Sequence, residues 1–152
     1  MSFNTPAGTR GARQPGGAVV WFNKLAKRLI RRGGGRFQGF DALILTTVGR
    51  KSGLPRETPV GWFQGEDGSW LIVASAAGAA KNPAWYFNLA AHPDQVQIEV
   101  QGQKIAVVAE ELHGEARETA WARITASAPR FAQYQTKTDR ELPVIRLARL
   151  PQ

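Results

Sequence analysis

The sequence predicts a mainly β domain: about six antiparallel strands curled into a small barrel, with helices at its edge. Three observations carry that expectation. From residue 42 onward, short β-rich or alternating runs recur between turn residues. Most connections are short enough for antiparallel pairing, and no βαβ alternation calls for a doubly wound sheet. The 152 residues, 43% apolar and 21% charged, suit one globular core.

The elements follow in order. Residues 1–17 are Gly/Pro-rich with one large apolar residue, Phe3, and are expected to be a disordered arm. Residues 18–32 carry Phe22, Leu25, Ala26, Leu29 and Ile30 at helical spacing, opposite Lys24, Lys27, Arg28 and Arg31. Gly33 to Gly35 stop this cationic helix, so 18–36 reads as helix plus linker. The domain proper is 37–152. Its expected strands are 42–49, 58–64 and 69–76, the last two joined by the hairpin signal at 66–68. Asn82 is expected to cap a helix over 84–92 with Pro83 in its first turn. Strands at 95–100 and 104–112, a helix at 114–128, a helical turn at 130–138 and a strand at 142–149 complete the chain.

The net charge of +8 is unevenly placed. Residues 1–36 hold eight basic side chains and no acid, whereas the rest hold 12 of each sign. The basicity therefore belongs to the N-terminal part, and a nucleic-acid partner, which wants a basic face on the fold, is not expected. The amphipathic helix 18–32 fits either docking on the domain or contact with an anionic membrane surface. No run is long and apolar enough to span a bilayer.

Several chemistries are excluded or weak. With no cysteine, thiolate nucleophiles and Cys-ligated metals cannot occur. His92 and His113 lack a metal-ligand pattern, so no metal is expected. Ser75 lacks the surroundings of a nucleophile elbow. Adjacent Glu110 and Glu111 on a strand point to opposite faces and make a poor acid/base pair. "GRKSG" is not a phosphate loop of the Walker type. What remains is an anion site in "GRKSGLPR". Gly49 and Gly53 permit a tight turn, Arg50, Lys51 and Arg56 supply charge, and Ser52 adds a hydroxyl. A plain hairpin turn with solubilising charges is the competing reading.

Three segments taken together are specific: "LTTVGRKSGLPRETPV" (45–60), "VASAAGAAKNPAWYFNLAAHPDQVQ" (73–97) and "PRFAQYQTKTDRELPVIRL" (129–147). Through them the chain resembles the deazaflavin-dependent nitroreductase family of actinobacterial oxidoreductases, over roughly residues 40–149. The resemblance implies a split β-barrel of the FMN-binding split-barrel type. It implies coenzyme F420, a deazaflavin with a phosphate and an oligoglutamate tail. The basic turn would cradle that tail through Arg50, Lys51 and Arg56, with Ser52 and Gly53 offering backbone N–H groups and Lys81 nearby. The ring would pass Ala74, Ser75 and Ala76, closed in by Asn82, Trp85 and Asn88 and touched by Thr58 and Pro59.

On that basis the expected activity is hydride transfer from reduced F420 to a quinone or nitroaromatic acceptor, the cofactor carrying the chemistry. Tyr134 would hold the acceptor and relay a proton, Ser75 would donate a hydrogen bond to it, and Phe131 would line its pocket. Phe131 and Ala128 make that pocket less polar than in members with further tyrosines. Alternatives are FMN or haem on the same barrel and a non-catalytic binding protein. The expected location is cytoplasmic, peripheral at the inner face of the membrane, as a monomer or weak dimer.

Overall fold

The computed structural model describes residues 3–11, 18–32, 36–37 and 40–150. Residues 12–17, the glycine stop at 33–35 and the side chain of Phe22 lie outside the described residues.

Period-two burial drives the sheet. In β6 (Val96–Val100), Val96, Ile98 and Val100 point inward, and in β7 (Gln103–Glu111) Ile105, Val107, Ala109 and Glu111 share that face. The other strands are β1 (Arg36–Phe37), β2 (Phe40–Val48), β3 (Pro55–Gly61), β4 (Phe63–Gln64), β5 (Trp70–Val73) and β8 (Val144–Arg149). Every pairing is antiparallel, in the order β1-β2-β6-β7-β8-β5-β4, with β3 on β2. The eight strands comprise the expected six plus the two-residue β1 and β4.

Inside the curl, Leu43, Leu45, Ile72, Ile98, Val107, Ile145 and Leu147 pack with Tyr86 and Leu89 of α2 (Ala84–Ala91). Strand β5 is buried on both faces. Leu71 and Val73 face a second cluster beneath α3 (Gly114–Ser127) and α4 (Arg130–Thr136), with Ile124, Phe131 and Val144.

Helix α1 (Ala18–Arg32) docks on the outer side of β2: Ile30 packs with Ala42 and Ile44, and Ala26 is also buried. The expected apolar face divides here, because Leu25 and Leu29 remain 56% and 42% exposed. Part of the basic face is fastened to the barrel. Lys27 Nζ lies 3.1 Å from Glu57, and Arg31 lies 3.2 Å from Glu57 and 3.0 Å from Glu99. The hydrogen bond from Lys27 leads in holding the Glu57 carboxyl below its usual range.

Three expected boundaries shift. Strand β3 begins at Pro55, not at 58, so Arg56 is a strand residue opposite Thr47. Strand β5 stops at Val73, because Ala76 and Ala77 turn left-handed, with φ of 45° and 53°. Ser75 and Ala76 therefore lie in a loop. Asn82 does not cap α2. Pro83 occupies the cap position, and the Asn82 amide is engaged by Thr5 and Arg140.

The disordered arm is also revised in part: residues 3–11 form a strap across the domain. Phe3 meets Tyr86 edge-on at 5.6 Å, and Gly8 N–H donates to Ala80 O at 2.7 Å. The Thr5 hydroxyl donates to Glu111, as does the Tyr86 phenol. Thr9 and Arg10 amides donate to Asp139 at 2.8 and 3.1 Å. Polar side chains elsewhere in the chain hold this segment, which a local reading of composition cannot foresee. A Cβ on Gly11 would overlap the backbone of Ala79 and Ala80, so the close approach needs glycine.

Asp139 gives the strap a pH dependence. Hydrogen bonds from Thr9, then from the Arg10 and Thr9 amides, hold its carboxyl well below the usual range, at about 2. A depressed folded-state pKa contributes stability above the unfolded value and loses it as pH falls through the folded one. Protection of the Gly8 amide from hydrogen exchange is therefore expected to decline as pH drops from about 4 towards 2. Asp139→Asn is expected to flatten that profile.

Candidate functional site

The basic turn joins β2 to β3. Gly49 N–H donates to Leu54 O and Gly53 N–H to Gly49 O, both at 2.8 Å, and Leu54 N–H donates to Ser52 Oγ at 3.2 Å. Gly53 sits at φ 70°, where a side chain would be strained. Its amide closes the turn, so it is not free for a ligand as the sequence reading had it. Arg50, Lys51, Ser52 and Arg56 are exposed. The Arg50 guanidinium lies 4.6 Å over the Phe87 ring.

Helix α2 fixes this turn from behind. Asn88, 8% exposed, accepts from Arg50 N–H at 3.0 Å and donates to Thr47 Oγ1 at 3.1 Å. Asn88 is thus a brace for the cradle. Trp85 belongs to the barrel core at 9% exposure. Thr58 and Pro59 lie half-buried on β3, opposite Leu45 and Ile44. Trp62, just beyond β3, keeps a buried indole N–H with no acceptor among the described residues.

At the other end of α2 is the loop 74–82. Ala74 is fully buried, Ser75 and Ala76 are half-buried, and Lys81 is exposed. The loop is held by a residue the sequence reading missed. Arg140, 2% exposed, donates to Ala74 O at 2.9 Å, Ser75 O at 2.8 Å, Ala79 O at 3.0 Å and Asn82 Oδ1 at 2.6 Å. Burial lowers its pKa from the ordinary arginine value. "TDREL" reads as a solvated charged link, and no local signal in it marks Arg140 as interior.

Helix α4 closes the loop's other side. The backbone of Tyr134 abuts Gly78, and the half-buried Tyr134 ring stacks edge-on with Phe131 at 5.6 Å. Phe131 itself is core, 7% exposed and packed beneath Tyr134, so it supports the expected acceptor pocket more than it lines it. The chain has two tyrosines, and the other is committed elsewhere. Burial first and the Glu111 carboxylate second push the Tyr86 phenol up to about 12. It remains a fixed donor to Glu111.

Two polar regions thus lie at the two ends of one helix. From the first residue of α2, Ala84, to Asn88 is about 6 Å along the axis at the helical rise per residue. A basic turn stands at one end and a loop of small residues with Ser75 at the other. Arg50, Lys51 and Arg56 have no ion pair among the described residues, so their charge is available to an external anion. The barrel thus sets a cationic turn and a loop of small residues on the two sides of α2.

The comparisons specify it further. The profile of the F420H(2)-dependent quinone reductase family matches residues 21–148. The chain is 36% identical over 111 residues to the F420H(2)-dependent quinone reductase Rv1261c of Mycobacterium tuberculosis, covering 71% of this chain and 73% of the relative. The solved structure of an F420-H2 dependent reductase, FDR-A, superposes with a TM-score of 0.63 at 39% identity, over 70% of this chain and 92% of that one. The haem storage protein HutZ of Vibrio cholerae shares the fold alone, at TM-score 0.53 and 17% identity over 83% of this chain and 89% of that one. The chain belongs to the F420H(2)-dependent quinone reductase family.

Asn88→Ala would remove the brace and leave the Arg50 N–H and the Thr47 hydroxyl without partners. It is expected to destabilise the protein by about 1–3 kcal/mol, read as a lower urea midpoint at unchanged slope.

Proposed function

We propose that the chain reduces a quinone-type acceptor with F420H2, binding the cofactor's anionic tail on Arg50, Lys51 and Arg56 and its ring along Ala74–Ala76. The observation that carries this reading is the braced turn with three cations that no carboxylate among the described residues neutralises. Charge-assisted hydrogen bonds to carboxylate and phosphate oxygens are the interaction such a turn makes. Lys81 extends the positive surface, and Ser52 adds a hydroxyl. Thr58 and Pro59 on β3, with Asn82 and Trp85 behind, frame the ring.

When bound, the reduced deazaflavin supplies a hydride. The chain's residues position the acceptor and supply the proton that must follow. Ser75 donates a hydrogen bond to the acceptor oxygen. Tyr134, beside the loop, holds the acceptor and passes it a proton, completing the two-electron, two-proton reduction of a quinone to a hydroquinone. A nitroaromatic can occupy the same place, on a floor that Phe131 makes apolar. FMN, with one phosphate and no glutamate tail, would leave most of the cradle's charge unused.

Helix α1 carries the membrane part of the proposal. No described helix is long and apolar enough to cross a membrane. Leu25 and Leu29 are exposed beside Lys24, Arg28 and Arg32, even with the helix docked. That combination suits a peripheral position on an anionic leaflet, where an apolar quinone resides.

Three outcomes check these assignments. Fluorescence titration with oxidised F420, beside FMN, is expected to show deazaflavin preference, and an Arg50→Ala/Lys51→Ala variant is expected to bind F420 at least ~10-fold more weakly. Tight FMN binding with no response to F420 would discard the assignment. Tyr134→Phe is expected to lower quinone turnover with F420 affinity unchanged; equal turnover removes Tyr134 from the mechanism. Leu25→Glu/Leu29→Glu is expected to abolish sedimentation with phosphatidylglycerol vesicles while leaving F420 binding intact.

A further inference from the structure

Arg140 is a buried guanidinium without a carboxylate partner among the described residues. Four of its hydrogen bonds end on uncharged oxygens, three of them backbone carbonyls of the loop from 74 to 79. A buried charge is costly to keep, and a leucine or methionine would fill the space more cheaply if packing were the only requirement. What the charge does to the backbone is therefore informative.

In a trans peptide the C=O and the following N–H lie in one plane and point in opposite directions. No described peptide is cis. The Ala74 carbonyl points to Arg140, so the Ser75 N–H points away from it. The Ser75 carbonyl also points to Arg140, so the Ala76 N–H points away as well. Neither N–H has a partner among the described residues. Ser75 lies in the right-handed helical region at φ −79° and ψ −35°, and Ala76 follows in the left-handed region at φ 45°. Successive residues of that kind turn their N–H groups into one concavity, which suits an oxygen acceptor. The left-handed turn at Ala76 and Ala77 is disfavoured by their Cβ atoms and has the four Arg140 bonds to hold it.

We infer that Arg140 is a positioning residue of the cofactor site: by fixing the Ala74 and Ser75 carbonyls it aims the Ser75 and Ala76 N–H groups at a carbonyl on the pyrimidine edge of the deazaflavin ring. This rests on the deazaflavin reading above. It adds a second contact region, independent of the cationic cradle, that recognises the ring and not the tail. The backbone supplies the donors, which is why the side chains there are no larger than serine and alanine.

The test is F420 titration of wild type, Arg140→Lys and Arg140→Ala, with 15N-labelled protein to follow the Ser75 and Ala76 amides. In wild type, both amide signals are expected to shift on adding oxidised F420. In Arg140→Ala, affinity is expected to fall on the order of ten-fold, the two amide shifts to vanish, and millimolar guanidinium to restore part of the affinity. Should Arg140→Ala not fold, Arg140→Lys carries the test, since an ammonium cannot reach all four acceptors and is expected to show an intermediate affinity. A folded variant of either kind that binds F420 like wild type, with both amides still shifting, overturns the positioning role. So does wild-type binding in which neither amide responds. Wild type that binds no F420 sinks the deazaflavin reading itself, and the inference with it.

Discussion

The structure depends on one buried cation. Arg140 lies just before the last strand and binds the loop that follows β5, so its guanidinium joins segments far apart in the chain. Withdrawn from water, it requires acceptors on several sides, and the chain provides them from backbone. That requirement dictates the loop's shape: carbonyls inward, a left-handed turn at two alanines, and Asn82 rotated away from its capping role towards the guanidinium. The strap then covers the assembly. Asn82 donates to Thr5 O at 3.1 Å, and the Gly8 amide caps Ala80 O. Loop, strap and the segment 138–140 are interdependent because each satisfies polar groups of the others.

A second polar centre reinforces the first. The alternation of β7 that makes Val107 and Ala109 core residues also puts Glu111 inside, 3% exposed. Tyr86 and Thr5 both donate to it, and His113 Nε2 lies 3.6 Å away. Burial of that carboxylate is supportable only with such donors. α2 is therefore fixed by polar contacts through Tyr86 and Asn88 and by the apolar packing of Trp85 and Leu89. Its rigidity sets the spacing between the cradle and the loop.

Much of this was legible in the sequence. Alternation in 95–100 and 104–112 gave β6 and β7 within a residue or two, and the turn residues at 49–54 and 66–68 gave the hairpins. The charges of Arg50, Lys51 and Arg56 set this turn apart in the sequence as a candidate anion site. Opaque were the features made by partners distant in the chain. Arg140 looks like any surface arginine until Ala74, Ser75, Ala79 and Asn82 are arranged around it. Asn88 reads as a ring contact, and nothing local in the sequence announces its bond to the Arg50 amide, which braces the turn. Residues 3–11 have no apolar pattern of their own, so their order comes from Asp139, Glu111 and Tyr86. Ala26 and Leu25 are neighbours on one apolar stripe by spacing, yet only the docking geometry separates the buried one from the exposed one.

The strap has a consequence for how the protein is made. Thr9 meets Asp139 across a separation of 130 residues, and Thr138 donates to Arg10 O across 128. On the ribosome the strap emerges long before its anchor, and synthesis at roughly 5–20 residues per second separates the two by several seconds or more. The barrel's hairpins can pair as they emerge, whereas the loop carrying Ser75 waits for Arg140, which follows it in the chain by 65 residues. A nascent chain would thus display a formed basic turn at 49–54 while the loop at 74–82 was still unset, so the two regions beside α2 mature at different times.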